Sequence, residues 1–229
     1  MKKEYYVFKI DLKVLNIVAN LLFIAFFVFT LILFPNIIIG FFEYSESFSF
    51  CLLLLPIMML YFGLHEIFHA IGYLVHGAKL KKLTFGIELE KGVFYCLCKQ
   101  NISRRNILNA TMYPLFYIGI VTYIVGLIFN LPLLTVLSML NISGAAADIM
   151  YFMFIIKLPK DIKFSELDDG TSFAILSDQD VSLIKHTGLE FVGKQKNIER
   201  KDFTRLKVSK LSYIVLAICL LMTIASLFV

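Results

Sequence analysis

The sequence predicts an all-α membrane protein with about five transmembrane helices, and two observations support this class. Hydrophobic residues make up 59% of the 229 residues and the mean hydropathy is +0.81, whereas charged residues make up only 17%. A soluble domain needs more polar surface than this composition provides. In addition, several apolar stretches reach the roughly 20 residues that a helix needs to cross a hydrocarbon core about 30 Å thick.

Five apolar segments are assigned as spans, and prolines mark the ends of one of them. Pro132 begins the fourth segment and Pro159 follows it, as is typical of helix boundaries. The spans are predicted over about residues 14–42, 51–75, 107–129, 133–156 and 211–229. Residues 1–158 therefore form a membrane-embedded core, residues 159–210 form a small cytoplasmic segment, and the last span is a C-terminal transmembrane helix.

A β-hairpin is predicted between spans two and three. Apolar residues alternate with other residues over positions 83–89 and again over 93–97, and Gly92 lies in the short turn between the two runs. Alternation with a period of two is typical of strands, and a glycine-containing turn joins hairpin strands. We therefore expect a membrane-associated hairpin over about residues 83–97.

The basic residues lie in three segments and predict an orientation. Residues 1–13 hold four lysines, residues 79–105 hold seven Lys or Arg, and residues 157–210 hold the other eleven of the 22. Because cytoplasmic loops carry the excess of Lys and Arg, these segments are assigned to the cytoplasm. The prediction is a multi-pass protein of the cell membrane with its N-terminus cytoplasmic and its C-terminus extracytoplasmic.

Span two contains the pattern HExxH, from His65 to His69. Residues four apart share a helix face, so both imidazoles can reach one metal ion. Glu66 follows the first histidine and can hold a water at the same ion, which makes it the candidate catalytic base. Zinc (Zn²⁺) suits this chemistry because it makes a bound water more acidic and polarises a carbonyl.

Asp148 is the candidate third metal ligand. A catalytic zinc needs three protein ligands, and the only charged residues within the five spans are Glu66 and Asp148. Depth agrees with this choice, because both histidines and Asp148 lie about 21–27 Å along their spans at 1.5 Å per residue. Charged groups inside a membrane are costly and are usually functional.

Asn141 is a weaker candidate for the site. It precedes Asp148 by seven residues and so faces the same way on a helix. It can orient a ligand or bind a substrate carbonyl, or it can form a structural hydrogen bond between helices. His76, His186 and the four scattered cysteines are given no role at the metal.

These residues resemble the site-2 proteases, which combine HExxH on one transmembrane helix with an Asp on a later helix and often place a β-hairpin between them. The closer likeness is to a poorly characterised bacterial group of zincin-type membrane peptidases, and it covers about residues 50–160. The sequence departs from the site-2 pattern at Ile142 and Ser143, where prolines are usual, and at Ile149, where glycine is usual.

The resemblance implies an intramembrane zinc metalloprotease that hydrolyses peptide bonds of membrane-spanning or membrane-proximal protein segments. Its expected partners are a membrane protein substrate and the lipid bilayer, with no nucleic acid. Two alternatives stay open. One is a non-enzymatic membrane protein, a transporter component or a metal-binding accessory factor, in which the buried His, Glu and Asp form a proton relay or metal site. The other is a degenerate protease that no longer binds metal.

Overall fold

The fold is a mixed α/β structure in a computed structural model that describes residues 4–91, 93–167, 171–196 and 206–226. It is 62% helical and 20% strand, with two sheets, so the all-α prediction is wrong. Among the described residues, three helices are long and apolar enough to cross a membrane, and a bent helix pair adds a fourth span if it counts as one. The predicted count of about five spans is therefore also too high.

The first predicted span is two helices. Helix α1 begins after Asp11, whose carboxylate accepts a hydrogen bond from the Lys13 N–H. Helix α2 begins with Pro35, which has no N–H to donate and therefore starts a new helix instead of continuing the old one. The two helices are α1 (Leu12–Leu33) and α2 (Pro35–Ser45).

The second predicted span is helix α3 (Phe48–Val75), which carries the HExxH pattern. It ends in a Schellman motif, in which the Ala78 N–H bonds to the Tyr73 carbonyl and the Gly77 N–H to the Leu74 carbonyl. Gly77 has a φ of 89°, a conformation that glycine adopts without strain.

The third and fourth predicted spans are both irregular. The third runs continuously over Arg104–Ile128. It consists of helix α4 (Arg104–Pro114), a π-helical segment (Leu115–Val121) and helix α5 (Thr122–Ile128). The fourth consists of helices α6 (Pro132–Gly144) and α7 (Ala146–Ile155), which meet at an angle of 43°. The bend lies beside the small residues at positions 144–147.

The C-terminal helix α8 (Lys210–Ala225) has 16 residues. At 1.5 Å per residue it is about 24 Å long, shorter than the roughly 30 Å hydrocarbon core. The predicted span over residues 211–229 extends past this helix into residues 227–229, which lie outside the described part.

A five-stranded sheet joins the N-terminus to residues 159–210, the predicted small cytoplasmic segment. Strand β1 pairs antiparallel with β6 and with β7. The aromatic and β-branched residues of β1 favour a strand, although the nearby lysines suggested only an orientation signal. The strands are β1 (Glu4–Ile10), β4 (Ile102–Ser103), β5 (Lys163–Glu166), β6 (Ser172–Ser177) and β7 (Leu189–Gln195), in the order β4-β5-β6-β1-β7.

The second sheet contains the predicted hairpin, formed by β2 (Leu83–Glu88) and β3 (Val93–Cys98), together with β8 (Leu206–Val208). The order is β3-β2-β8, so β3 is an edge strand among the described residues. The Lys99 N–H bonds to the Lys82 carbonyl, and Leu83 lies opposite Cys98. Because antiparallel hydrogen-bonded pairs alternate, the backbone groups of Phe94, Cys96 and Cys98 point away from β2.

Candidate metal centre

The structure brings His65, His69 and Asp148 together. The His65 Nε2 lies 3.3 Å from the Asp148 Oδ2, and the His69 Nε2 lies 3.2 Å from the Asp148 Oδ1. The three side chains offer ligand atoms that all lie within 4.8 Å of one another, and all three residues are buried. They could therefore form a metal site.

The spacing of these atoms fits zinc. A tetrahedral zinc ion with ligand distances of about 2.0–2.2 Å holds its ligand atoms about 3.3–3.6 Å apart. The two N···O distances, 3.3 and 3.2 Å to the two different oxygens of Asp148, lie at the short end of that separation. Two imidazoles and one carboxylate are also a donor set that catalytic zinc sites use, with one position left for water or substrate.

Carbonyl oxygens orient both imidazoles. The His65 Nδ1 lies 3.3 Å from the Asn141 Oδ1, and the His69 Nδ1 lies 3.3 Å from the Ala110 carbonyl oxygen. Because these oxygens can only accept, each Nδ1 carries the hydrogen and donates it. In a neutral ring the Nε2 then carries no hydrogen. The lone pairs of two Nε2 atoms therefore face the Asp148 carboxylate. A metal cation satisfies all three acceptors at once, whereas without a metal the cluster needs added protons.

Glu66 lies beside the three candidate ligands. It lines the same cavity as His65, His69 and Asp148, and it lies near the backbone N–H of Cys96 on strand β3. The position next to the first histidine on helix α3 is therefore open to the cavity, as a base that contacts water requires.

A cavity of about 580 Å³ opens onto the candidate ligands. Its walls come from α1, α3, α7 and the hairpin, and its apolar members include Met58, Met59 and Phe62. A mainly apolar space with a few convergent polar groups is typical of a substrate site. The cavity is large enough to take several residues of an extended peptide.

Asn141 lies behind His65 and is fully buried. It is not among the residues that line the cavity, and its Nδ2 has no hydrogen-bond partner. Of the roles weighed for it, this position fits the orientation of a ligand better than contact with a substrate.

Two residues of the site were missed by sequence reasoning, Tyr73 and Glu166. The Tyr73 hydroxyl donates to the Glu166 Oε1 at 3.0 Å, and the Cys98 N–H donates to the Glu166 Oε2 at 2.6 Å. Both residues line the cavity. The spacing of Tyr73, four residues after His69, indicates the same helix face and was available from the sequence. Nothing in the sequence distinguishes Glu166 from the other acids of residues 159–210.

Residues without a predicted role lie outside the three-residue cluster. Cys96 lines the cavity, and burial raises the pKa of its thiol well above the usual range, an effect that the charges of Glu66 and Glu166 increase. The thiol therefore stays protonated in the described structure. His76 follows the last residue of α3, and the His186 ring lies against the Phe154 ring.

Glu166 predicts a pH dependence of stability. Burial raises the pKa of Glu166 from 4.5 to about 7, although the Cys98 N–H, the charge of His69 and the Tyr73 hydroxyl act in the opposite direction. Between pH 4.5 and 7 the folded protein keeps a proton that the unfolded chain loses, so stability falls as the pH rises through this window. The Glu166→Gln variant has no carboxyl group to ionise at this position, so its stability does not fall for this reason. Above pH 7 we expect it to be more stable than wild type by up to about 3 kcal/mol.

The measurement is the thermal midpoint of metal-free protein in detergent, for wild type and Glu166→Gln, from pH 4 to 8. The difference between the two should be smallest below pH 4.5 and grow towards pH 7. Two parallel curves across the whole range would show that Glu166 does not titrate in this window.

Gly72 positions the Ala110 carbonyl that orients His69. A Cβ at Gly72 would lie 2.9 Å from the Ala110 Cα, so any side chain pushes α3 and α4 apart. We expect Gly72→Ala to lower the free energy of unfolding by about 1–3 kcal/mol and to weaken metal binding. Gly63 on the same helix is the matched control, since a Cβ there meets nothing within 4 Å. Thermal unfolding and metal content of Gly72→Ala and Gly63→Ala check the prediction. Equal unfolding midpoints and equal metal contents in the two variants would contradict it.

Residues 57–163 match the model of a family described as "Putative zincin peptidase". The matched stretch contains His65, Glu66, His69, Asn141 and Asp148. The match supports a zincin-type peptidase, that is, a metallopeptidase, and agrees with a zinc site at His65, His69 and Asp148. No curated protein and no solved structure matches the chain.

Proposed function

We propose that this protein is an intramembrane zinc metalloprotease that hydrolyses peptide bonds of membrane-spanning or membrane-proximal protein segments. The observation that carries the proposal is the convergence of three acceptor atoms, from His65, His69 and Asp148, beside Glu66 at the wall of one cavity. A family match to zincin-type peptidases over the same residues supports the reaction class.

The helices and sheets support the membrane part of the proposal. In the described part of the chain, three helices have the length and composition of membrane spans. Two of them, α3 and the run Arg104–Ile128, contribute groups to the site. The five-stranded sheet joins strands from the N-terminus, from the hairpin linker and from residues 159–210. Strands of one sheet lie on one side of a membrane, which is the arrangement that the three basic segments require.

Each residue of the site has a distinct task in this mechanism. His65, His69 and Asp148 would hold zinc, which when bound makes a water acidic near neutral pH and polarises the scissile carbonyl. Glu66 takes a proton from the attacking water and then passes it to the leaving amine. Asn141 and the Ala110 carbonyl keep the two imidazoles in the tautomer that directs Nε2 towards Asp148.

The substrate enters as an extended strand. The carbonyl groups of a helix are hydrogen-bonded within it, so a membrane segment must unwind locally before a base can direct water at one of them. Strand β3 offers an edge, and its Cys96 N–H lies near Glu66. A substrate that pairs with this edge by strand addition lies along the cavity with its backbone next to the metal ligands.

A second candidate function rests on the same distances. Separations of 3.2 and 3.3 Å also suit ion pairs between protonated histidines and Asp148. A transporter component with a buried proton relay, or a metal-binding accessory factor, would keep such contacts without proteolysis.

The test is cleavage by purified protein in detergent of a peptide library made by digesting bacterial membrane proteins. We expect cleavage with zinc present, loss of cleavage after chelation, and recovery when zinc is returned. Protein that carries zinc and cleaves no peptide in the library, nor any protein of the membranes from which the library was made, would favour the accessory factor. Protein that takes up no zinc would favour the proton relay.

A further inference from the structure

Two carboxyl groups stand along the edge of strand β3 that faces the cavity: Glu66 lies near the Cys96 N–H, and Glu166 accepts a hydrogen bond from the Cys98 N–H. The backbone groups of Phe94, Cys96 and Cys98 point away from β2, so their N–H groups are the donors that an added strand would use. At Cys98 the N–H already donates to the Glu166 Oε2, at 2.6 Å. This distance is short for an N–H···O hydrogen bond, so the Glu166 oxygen lies close against the strand edge.

Glu166 is itself held in place from two directions. It is the last residue of β5, which pairs with β6 in the five-stranded sheet. Its other oxygen accepts from the Tyr73 hydroxyl at 3.0 Å, and Tyr73 lies on the helix that carries His65 and His69. The carboxylate is therefore fixed relative to both the candidate metal ligands and the edge strand.

We propose that Glu166 is a positioning residue that ends substrate pairing on β3 before Cys98 and so sets which substrate bond lies at the metal centre. Its carboxylate occupies the place of a strand carbonyl. A substrate strand consequently pairs with β3 from Phe94 as far as Cys96, where Glu66 stands, and its continuation leaves the edge where Glu166 stands. The inference rests on the proposed function and assigns a role to a residue outside the zinc-binding pattern.

Removal of the carboxylate lengthens the edge that a substrate can use. Outward-facing residues of a strand are two apart, or about 6.6–6.8 Å, so opening Cys98 adds one pairing position to the edge. A peptide long enough to reach this position gains hydrogen bonds, whereas a shorter peptide gains nothing. The gain is made in the bound ground state as well as in the transition state, so it lowers KM and leaves kcat unchanged.

The experiment uses one peptide that wild-type protein cleaves from the membrane-protein library, together with forms of it shortened by two residues at either end. Three variants are compared with wild type, all with zinc bound. Glu166→Ala removes the acceptor. Glu166→Asp keeps the charge but is one methylene too short to reach Cys98. Glu166→Gln keeps an acceptor oxygen at full length and is the matched control.

We expect Glu166→Ala and Glu166→Asp to lower the KM of the full-length peptide about tenfold, with kcat unchanged, and to produce additional cleavage positions. Glu166→Gln should keep the KM and the cleavage position of wild type. One of the two shortened peptides should show the same KM with every variant. Backbone hydrogen exchange over residues 94–98 should speed up in the Ala and Asp variants and not in Gln.

Unchanged KM and cleavage positions in zinc-loaded Glu166→Ala and Glu166→Asp would overturn this role of Glu166. An equal fall of KM in Glu166→Gln would also overturn it, because the charge and not the hydrogen bond would then matter. If the wild type binds zinc and cleaves no peptide, the proposed function is wrong, and the role proposed for Glu166 is then wrong as well. Zinc content and hydrogen exchange separate these outcomes from a variant that does not fold.

Discussion

The Asp148→Ala variant is expected to lose its metal. Wild-type protein purified without chelators should contain about one zinc per chain, and Asp148→Ala should contain less than about a tenth of that after the same dialysis. Asp148 contacts both histidines, at 3.3 and 3.2 Å, so its removal leaves two imidazole nitrogens without the third ligand. Loss of partners that only orient a ligand typically weakens metal binding 10–100-fold, and loss of a ligand itself should exceed that.

Elemental analysis by mass spectrometry measures this directly, and two variants serve as controls. Asp148→Asn keeps the size of the side chain and one carbonyl oxygen but removes the charge, so it should retain an intermediate amount of zinc. Glu166→Gln changes a second buried acid of the same cavity and should retain the wild-type amount, because Glu166 is not part of the three-residue cluster. Full zinc occupancy in Asp148→Ala would assign the third ligand to another residue.

The candidate cluster could be predicted from sequence because its parts follow from short-range rules. HExxH specifies two imidazoles on one helix face whatever surrounds the helix, and the structure places His65 and His69 as the spacing predicts. Asp148 was identified because a charged residue inside an apolar span is costly and is therefore usually functional. That argument survives the error in span number, since it needs only that α3 and the bent pair lie side by side.

Sequence reasoning missed most of the strand pairing that builds the two sheets. Residues 4–10 contain aromatic and β-branched residues that favour a strand, but their partner β6 begins 162 residues after β1 ends. Such residues indicate a strand but do not indicate which distant segment it pairs with. The hairpin was found because its strands are adjacent in sequence, and β8 was missed because it pairs with β2 from the other end of the chain.

Glu166 shows the same limit at a single residue. From sequence alone, Glu166 is one of several acids in residues 159–210 that are expected to face solvent. Only the sheet brings its carboxylate to the cavity. The bend between α6 and α7 is a further case, because the small residues at positions 144–147 indicate close packing without indicating an angle.

The Glu66→Gln variant should separate metal binding from catalysis. Glutamine has nearly the same size and still accepts a hydrogen bond, but it cannot take a proton from water. We expect the zinc content of wild type and a fall of about 10²–10⁴-fold in kcat/KM on a peptide that wild type cleaves. Because Glu66 lines the cavity and is not one of the three clustered ligands, the change leaves the metal site itself intact.

The combined result decides between the two candidate functions. A metal-binding accessory factor needs His65, His69 and Asp148 but has no use for a base, so Glu66→Gln would leave its activity in cells unchanged. A peptidase needs all four residues, so Asp148→Ala and Glu66→Gln would both be inactive while only the first loses zinc. A Glu66→Gln variant that keeps both zinc and full cleavage would require a different proton acceptor, and Glu166 is a candidate because its carboxyl group lines the same cavity.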